Sequence, residues 1–366
     1  MSADTSTGPV ELDWYGCDLR TGQIVEDLRS LTPSGALSKR LGSATSTTFD
    51  LAIAGAGQDW VAATDPGRSL LVGVDRLTDQ PVWAGMVLTR EAGSSWTASL
   101  GAVTPEAYLD RRYTGDITQV QQDQAAVLTV LMAAPLSQGP PFVMDAPATG
   151  VLMDYMALDG DDRTVLSALQ EVMGQEGGPE WTVDVAWSDA AHSGFVLPLR
   201  VRSAIGVQVD DPEAVFDFPG CISTYALGES YETGKGATAV VARGEGEGTA
   251  RLSSGSQVAT ALEAAGWPRY VHRYTPASGL TDPAQLTAHA VKALSLMQTG
   301  SRVWTVEAVA SQSPRLGRDW GIGDSVRVAV DSSPRHPDGA EVVARAWAWQ
   351  LDAAADRIVP VLIEED

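Results

Sequence analysis

The sequence predicts a mainly β protein with an α+β insertion, made of two small antiparallel β-barrel domains and a small α+β domain. Short runs with apolar residues at every second position, separated by glycine-rich turns, fill the first and last parts of the chain. Apolar residues spaced three and four apart, as in helices, appear mainly in the middle. The chain has 366 residues, and one core rarely grows beyond about 250–300 residues, so several domains are expected.

The first barrel domain is predicted at residues 10–106, after a small, polar and disordered N-terminus at residues 1–9. Strand patterns recur there between turns, without a convincing helix. Two examples are Thr47-Thr-Phe-Asp-Leu-Ala-Ile53, with alternating apolar residues, and Pro81-Val-Trp-Ala-Gly85. Seven or so short strands of this kind favour a barrel or sandwich of about a hundred residues.

The α+β domain is predicted at residues 107–220. Apolar residues recur at three and four from Asp123 to Ala134, which indicates a helix. A second helix is predicted to begin at an Asp162 cap, because an apolar stripe follows it. The alternating segments Trp181–Trp187 and Phe195–Val201 then predict strands.

The second barrel domain is predicted at residues 221–366, with one helix at about 282–298. Asp282 is the expected helix cap and Pro283 the first helical residue. A turn at Gly321-Ile-Gly-Asp324 is expected to reverse the chain from one strand to the next. The domain is organised around four strands in an antiparallel meander, namely Val303–Val309, Val326–Val330, Val343–Leu351 and Ile358–Ile363.

Composition excludes several classes of protein. Lys and Arg number 25 against 47 Asp and Glu, a net charge of −22. Stable nucleic-acid binding needs the opposite sign, because affinity comes largely from cations that neutralise phosphates. No apolar run approaches the roughly 18 residues of a membrane span, and no secretion signal is evident. Cys17 and Cys221 are too few for a disulfide framework or a zinc site, so buried free thiols are expected.

No motif points to catalysis, a cofactor or a metal. The four histidines lie far apart in sequence and match no metal or catalytic spacing. The strand and glycine run at Val240–Thr249 places threonine where a dinucleotide-binding fingerprint has its third glycine. The acidic run Asp159–Asp162 lacks the pattern of a calcium loop and is better explained by helix capping.

Two alternative functions remain open at the level of sequence. With 47 acidic residues, paired carboxylates can be found at any spacing, so a carboxylate-dependent polysaccharide hydrolase stays an alternative. The eleven tryptophans could form a sugar-binding platform, so a sugar-binding β module is another. On alternating strands, however, core filling is the usual role of tryptophan.

Six short segments, spread in order along most of the chain, carry a resemblance to known proteins: Trp14-Tyr15, Pro81–Gly85, Glu106–Tyr113, Ala242–Gly248, Thr281–Pro283 and Asp319–Val326. Together they resemble the baseplate hub proteins at the tip of long bacteriophage tails, which are minor tail proteins in phages of actinobacteria. The resemblance implies a structural, non-enzymatic virion protein of the tail tip. It implies a homotrimer in which two barrels per chain form a pseudo-hexameric ring that ends the tail tube and lets DNA exit.

The resemblance also implies partners. These are the chain itself, a distal tail or tail tube protein, the tape measure protein, and a central fibre or other tip proteins. No cofactor, membrane insertion or stable DNA binding is expected. Trp347 and Trp349 are predicted to form subunit contacts, and Arg111 and Arg112, where the chain leaves the first barrel, complete the predicted interface. Part of the −22 charge is expected to line the channel and repel DNA in transit.

Overall fold

The computed structural model describes residues 8–175, 177–244, 246, 248–276 and 283–364, apart from the side chain of Gln285. The predicted N-terminus at 1–9 lies almost wholly outside these residues, as does the predicted cap Asp282. The described residues form two compact units. The first comprises those of Met1–Met173, Gly178–Tyr225 and Val306–Asp366, and the second comprises those of Gly174–Gly177 and Ala226–Thr305.

The first part of the chain forms eight strands and one short helix: β1 (Leu12–Asp18), β2 (Ile24–Asp27), β3 (Leu31–Pro33), β4 (Leu37–Arg40), β5 (Ser46–Ala52), α1 (Trp60–Ala63), β6 (Ser69–Asp75), β7 (Gln80–Glu91) and β8 (Thr97–Val103). Seven strands form a curled sheet in the order β2-β1-β6-β7-β8-β5-β3, and all neighbours in it are antiparallel. Trp14, Phe49 and Trp83 pack on one another inside it, with ring centroids 5.0–6.1 Å apart. The sheet confirms the first predicted barrel, whereas α1 was not predicted because four residues are too few to show periodicity.

The middle of the chain contains helices and short strands: β9 (Ile117–Asp123), α2 (Gln124–Leu131), α3 (Ala133–Gln138), β10 (Phe142–Asp145), β11 (Leu152–Ala157), α4 (Val165–Met173), β12 (Glu180–Val183), β13 (Ala186–Trp187) and β14 (Phe195–Arg202). β9 and β11 form a two-stranded ribbon, and β10, β12 and β13 pair with β14. One core joins the buried sides of α2 and α4 to Trp181 and Phe195 and continues to β6 and β7 of the first sheet. This is the predicted α+β insertion.

Three local predictions in this part need correction. Asp162 does not cap α4: it is a left-handed residue with φ +48°, and Thr164 Oγ1 accepts the hydrogen bond from Ser167 N (3.2 Å) instead. The helix predicted from Asp123 divides at Met132, because Pro135 in the next turn has no N–H to continue the ladder. The strand predicted at Trp181–Trp187 is interrupted between β12 and β13.

The remaining elements are β15 (Val215–Phe218), β16 (Ile222–Ser230), β17 (Ala239–Ala242), β18 (Gln257–Val258), α5 (Thr260–Ala264), β19 (Val271–Tyr274), α6 (Pro283–Met297), β20 (Ser301–Val309), β21 (Ser325–Val330), β22 (Ala340–Asp352) and β23 (Arg357–Ile363). A second seven-stranded sheet has the order β15-β21-β22-β23-β20-β16, and β4 from the first part of the chain also pairs with β22. It is the second predicted barrel.

The meander is only partly as predicted. β21, β22 and β23 are consecutive antiparallel neighbours, but β20 lies beside β23 and not beside β21. The turn at Gly321–Asp324 therefore does not fold β21 back on β20. The β15–β21 pair is parallel, which the sequence pattern did not indicate.

The second unit has a small core of its own. β17 lies between β18 and β19 in a three-stranded sheet, and Leu286, Ala290 and Met297 of α6 are buried against it. The helix predicted at about 282–298 is observed as Pro283–Met297. No helix among the described residues is long and apolar enough to cross a membrane. The domain boundaries expected from the sequence stay predictions.

Candidate functional site

Two buried ion pairs hold distant segments of the first unit together. Arg315, in the loop between β20 and β21, pairs with Asp75 at the end of β6, and both side chains are nearly inaccessible. Arg345 on β22 pairs with Glu180 on β12 and also donates to the carbonyls of Ile205 (2.7 Å) and Gly323 (2.8 Å). Burying charges is costly unless each one is paired and hydrogen-bonded. These ion pairs therefore fix the positions of β22 and of the loop between β20 and β21.

A cleft of about 540 Å³ lies entirely within the first unit. Its walls are largely apolar and include Val82 and Trp83 of the first sheet and Trp349 of the second. Eight charged residues lie among its lining residues, namely Lys39, Glu106, Asp184, Arg200, Glu213, Arg318, Asp319 and Asp324. A concave apolar site with a few polar groups is the usual form of a ligand site, so these groups decide what the cleft can do.

One carboxylate of the cleft, that of Asp184, is held by two cations. Lys39 Nζ contacts Asp184 Oδ1 (3.2 Å), and Arg200 pairs with the same carboxylate. Burial alone would raise the pKa of Asp184, but the charges of Lys39 and Arg200 outweigh it and hold that pKa below its usual value.

Glu106 is the unusual group in the cleft. It is 1% exposed, and its Oε2 has no hydrogen-bond partner among the described residues. Burial raises the pKa of this carboxyl, against the opposing charge of Lys39. A hydrolase with two carboxylates needs both groups within reach of a substrate. Glu106 is enclosed and Asp184 is engaged by two cations, so this pair of carboxyl groups does not suit that chemistry.

The predicted interface residues lie in two separate places. Trp349 is 2% exposed and sits between β4 and β23, opposite Lys39 and Pro360. Trp347, two residues earlier on β22, is partly buried, and the Arg345 guanidinium lies 5.1 Å from its ring centroid. Trp349 thus fills the interior of the chain itself, and Trp347 is the more accessible of the two.

The arginine pair follows the first sheet, at the end of a 3-10 turn that spans Pro105–Arg111. Arg111 is exposed, and Arg112 is partly buried and donates to Gln138 Oε1 (2.7 Å). An interface role for Trp347, Trp349, Arg111 and Arg112 stays a prediction.

The sequence analysis missed an exposed apolar row on the β9–β11 ribbon. Val120, Leu152 and Met156 are all exposed, although each is apolar. On β11 the alternate residues Met153, Tyr155 and Ala157 are buried instead. Both faces of β11 are largely apolar, so alternation alone does not tell which one faces the core. Asp154 separates Leu152 from Met156 on this face of β11. Large exposed apolar side chains grouped in this way are typical of interaction sites.

The cysteines and metal-binding residue types offer no reactive centre in the described part of the chain. Cys17 and Cys221 are buried free thiols, as predicted. Burial raises the pKa of both thiols, that of Cys221 to about 12, and a thiol kept protonated is a poor nucleophile. No group of three or more His, Cys, Asp or Glu side chains there is placed to hold a metal ion.

Known structures share this fold over almost its whole length. The sequence itself matches no protein-family model and no curated protein. A tail protein from Neisseria meningitidis MC58 is similar with a TM-score of 0.60 at 14% identity, covering 98% of this chain and 97% of that one. The 43 kDa tail protein of prophage MuSo2 from Shewanella oneidensis gives a TM-score of 0.60 at 11% identity, covering 96% and 98%.

A third structure agrees with these two. The prophage tail protein gp18 from Listeria monocytogenes EGD-e gives a TM-score of 0.57 at 11% identity and covers 96% of this chain and 94% of that one. At such low identity the likeness concerns the fold alone. The chain has the fold of these tail proteins, with two curled sheets and an α+β insertion in the same polypeptide.

Proposed function

We propose that this chain is a structural protein of a bacteriophage tail tip, a baseplate hub that assembles as a homotrimer. The observation that supports this most is the presence of two curled seven-stranded sheets in one chain, within a fold shared from end to end with tail proteins. A structural role also agrees with the cleft, in which the carboxylate of Asp184 joins Lys39 to Arg200 and so holds segments of the chain together.

Rotational symmetry accounts for how three such chains would form a ring. Two similar sheets in each of three chains supply six similar units around an axis, and closed rotational symmetry is the usual arrangement of soluble oligomers. Such a ring would continue a sixfold tail tube and leave a channel for DNA. A net charge of −22 would repel DNA from the channel wall, so that the nucleic acid passes without binding.

The proposed partners are the proteins expected at the end of a phage tail tube. They are two further copies of this chain, a distal tail or tail tube protein, the tape measure protein, and a central fibre or other tip proteins. Trp347 and Arg111 are accessible candidates for the contact between copies. The apolar row of Val120, Leu152 and Met156 is a further surface that a ring contact would cover.

The test is the mass of the purified chain in solution, measured by light scattering behind a sizing column. We expect three times the mass of the chain, and rings with a central channel in negative-stain images. Antibody labelling of assembled virions should place the protein at the distal end of the tail. A chain that stays monomeric at high concentration and is missing from virions would refute the proposal.

A further inference from the structure

Three aromatic rings cluster at the surface of the second unit. The ring centroid of Tyr231 lies 5.3 Å from that of Trp267 and 5.3 Å from that of Tyr270, and the rings are inclined by 49° and 66°. Trp267 is 43% exposed and Tyr270 48% exposed, whereas Tyr231 is partly buried. Two large, partly exposed rings thus pack on a third that supports them. This arrangement needs an explanation because it leaves apolar surface in water.

The backbone that carries the two exposed rings is fixed by a buried threonine. Thr238 is fully buried, and its Oγ1 accepts from Tyr270 N (2.8 Å) and donates to Pro268 O (3.1 Å). The backbone N–H groups of Thr238 and Ala239 both donate to Tyr270 O (3.0 Å). The segment from Trp267 to Tyr270 is therefore held in one conformation, although its side chains are exposed.

The supporting ring is fixed as well. A Cβ at Gly236 would lie 2.4 Å from the ring of Tyr231, so only glycine allows the backbone to approach its face. Gly300 approaches the same ring, and a Cβ there would lie 3.0 Å from Cδ2. Side chains that are held in place before binding lose little conformational entropy when a ligand arrives. The cluster is therefore a rigid surface. An exposed apolar patch without a function would not need to be held in this way.

The charged residues next to these rings cancel one another. Arg269, between Pro268 and Tyr270, forms a two-point ion pair with Glu263 (2.5 and 2.8 Å). Glu232, which follows Tyr231, pairs with Lys235 (2.7 Å). Two acids and two bases give this rim no net charge, in a chain whose net charge is −22. The rim therefore suits an uncharged ligand with many hydroxyl groups, which ionic groups can donate to and accept from.

We propose that Trp267 and Tyr270, supported by Tyr231, form a binding site for an uncharged oligosaccharide. A pyranose ring has a C–H face that packs on an aromatic ring and hydroxyl groups at its edge that bond to Glu232, Glu263 and Arg269. Tyrosine and tryptophan suit such a ligand because each combines a large apolar face with a polar group. The site goes beyond the proposed structural role and does not depend on it, since all of its residues belong to one chain.

The experiment is a titration of the full-length chain with four neutral probes, namely maltotriose, cellotriose, the N-acetylglucosamine trisaccharide and a galactose trisaccharide, by saturation-transfer NMR. A trimer of galacturonate serves as the anionic comparison. We expect at least one neutral probe to bind and the anionic one to bind more weakly. Trp267→Ala should weaken binding about tenfold, and Trp267→Phe should retain most of it because a ring is kept.

The control is Trp96→Ala, which removes the 75% exposed tryptophan between β7 and β8 in the first unit; it should bind as the wild type does. Failure of all four neutral probes, preference for galacturonate, or unchanged binding by Trp267→Ala would each overturn the proposal. The mass of Trp267→Ala in solution is measured in parallel. If that variant loses self-association while the wild type binds no sugar, the surface contacts protein instead, and the hub proposal stands without the sugar site.

Discussion

Arg315 donates from Nε and one Nη to the two carboxylate oxygens of Asp75, at 2.5 and 2.6 Å, across a sequence separation of 240 residues. The two side chains are 4% and 2% exposed. Arg315 also donates to the carbonyl of Gly8 (2.9 Å). One guanidinium thus joins the beginning of the described chain, the first sheet and the loop that precedes β21.

Removing one partner of this pair should strongly destabilise the fold. In Asp75→Asn the Arg315 charge stays buried without its counter-charge, and we expect the free energy of unfolding to fall by about 3–5 kcal/mol. Urea denaturation followed by tryptophan fluorescence measures it. The control is Asp27→Asn, which removes one partner of the exposed Arg29 pair and should leave the midpoint unchanged. If both variants unfolded at the same urea concentration, the buried ion pair would not contribute to stability.

Glu106→Gln should change the pH dependence of stability. The pKa of Glu106 is raised above its ordinary 4.5 by burial, so the carboxyl stabilises the fold only while protonated, and stability is lost as pH rises through the raised value. Glutamine cannot ionise. The variant should therefore gain stability relative to the wild type as pH rises above about 4.5, as measured by urea midpoints across a pH series.

Asp184→Asn should change the pH dependence of stability in the opposite direction. The pKa of Asp184 lies below its usual value because of Lys39 and Arg200, so its contribution is present at neutral pH and disappears as pH falls through the lowered value. This variant should be less stable than the wild type at neutral pH, and the two should converge in acid. Parallel pH profiles for both variants and the wild type would contradict the assigned environments.

Gly323→Ala should destabilise the fold more than Gly67→Ala does, although both glycines have a positive φ. Gly323 has φ +86°, and an added Cβ would lie 2.2 Å from Ile205 O. The strain of that backbone conformation costs roughly 1–3 kcal/mol for a non-glycine residue, and the clash adds to it. Gly67, with φ +77°, has no atom within 4 Å of the added Cβ, so Gly67→Ala measures the conformational cost alone. Similar thermal midpoints for the two variants would exclude the steric contribution.

The tryptophans and the arginines of the predicted interface should behave differently when folding and assembly are both measured. Trp349→Glu places a charge in the interior and should unfold the chain or lower its stability by several kcal/mol, so its loss of assembly would be indirect. Arg111→Glu changes an exposed residue and should leave the urea midpoint unchanged while weakening the trimer in sedimentation. Arg29→Glu, another exposed arginine, is the matched control. An unchanged trimer in Arg111→Glu would remove that residue from the interface.

Periodicity predicted the mainly β fold, because alternation at Thr47–Ile53 and Val326–Val330 is a direct consequence of one buried face. It could not predict which strands become neighbours. β20 pairs with β23, and β4 leaves the first part of the chain to pair with β22. These pairings join segments that are distant in sequence, by hundreds of positions in the case of β4 and β22, and local patterns contain no information about them.

The functional residues were harder to predict for a different reason. Trp349 and Trp267 are both tryptophans, yet one is buried in a β-sheet and the other is exposed after a short helix. Sequence reasoning weighed tryptophan as an interface or sugar-binding residue but could not tell buried rings from exposed ones. The signal that was available for Trp267 is its neighbourhood, Gly266-Trp-Pro-Arg-Tyr270, which is typical of a loop and places two aromatic residues outside any alternating strand.

The pairing of β4 with β22 has a consequence for synthesis in the cell. Lys39 lies opposite Trp349 in this pair, so a ribosome has made the early strand long before its partner emerges. Loops this long close slowly, and an edge strand left unpaired in the meantime can bind the wrong chain. A stop codon between the two strands would therefore yield a nascent protein that exposes β4 to aggregation and to proteases, even though most of the chain has already been translated.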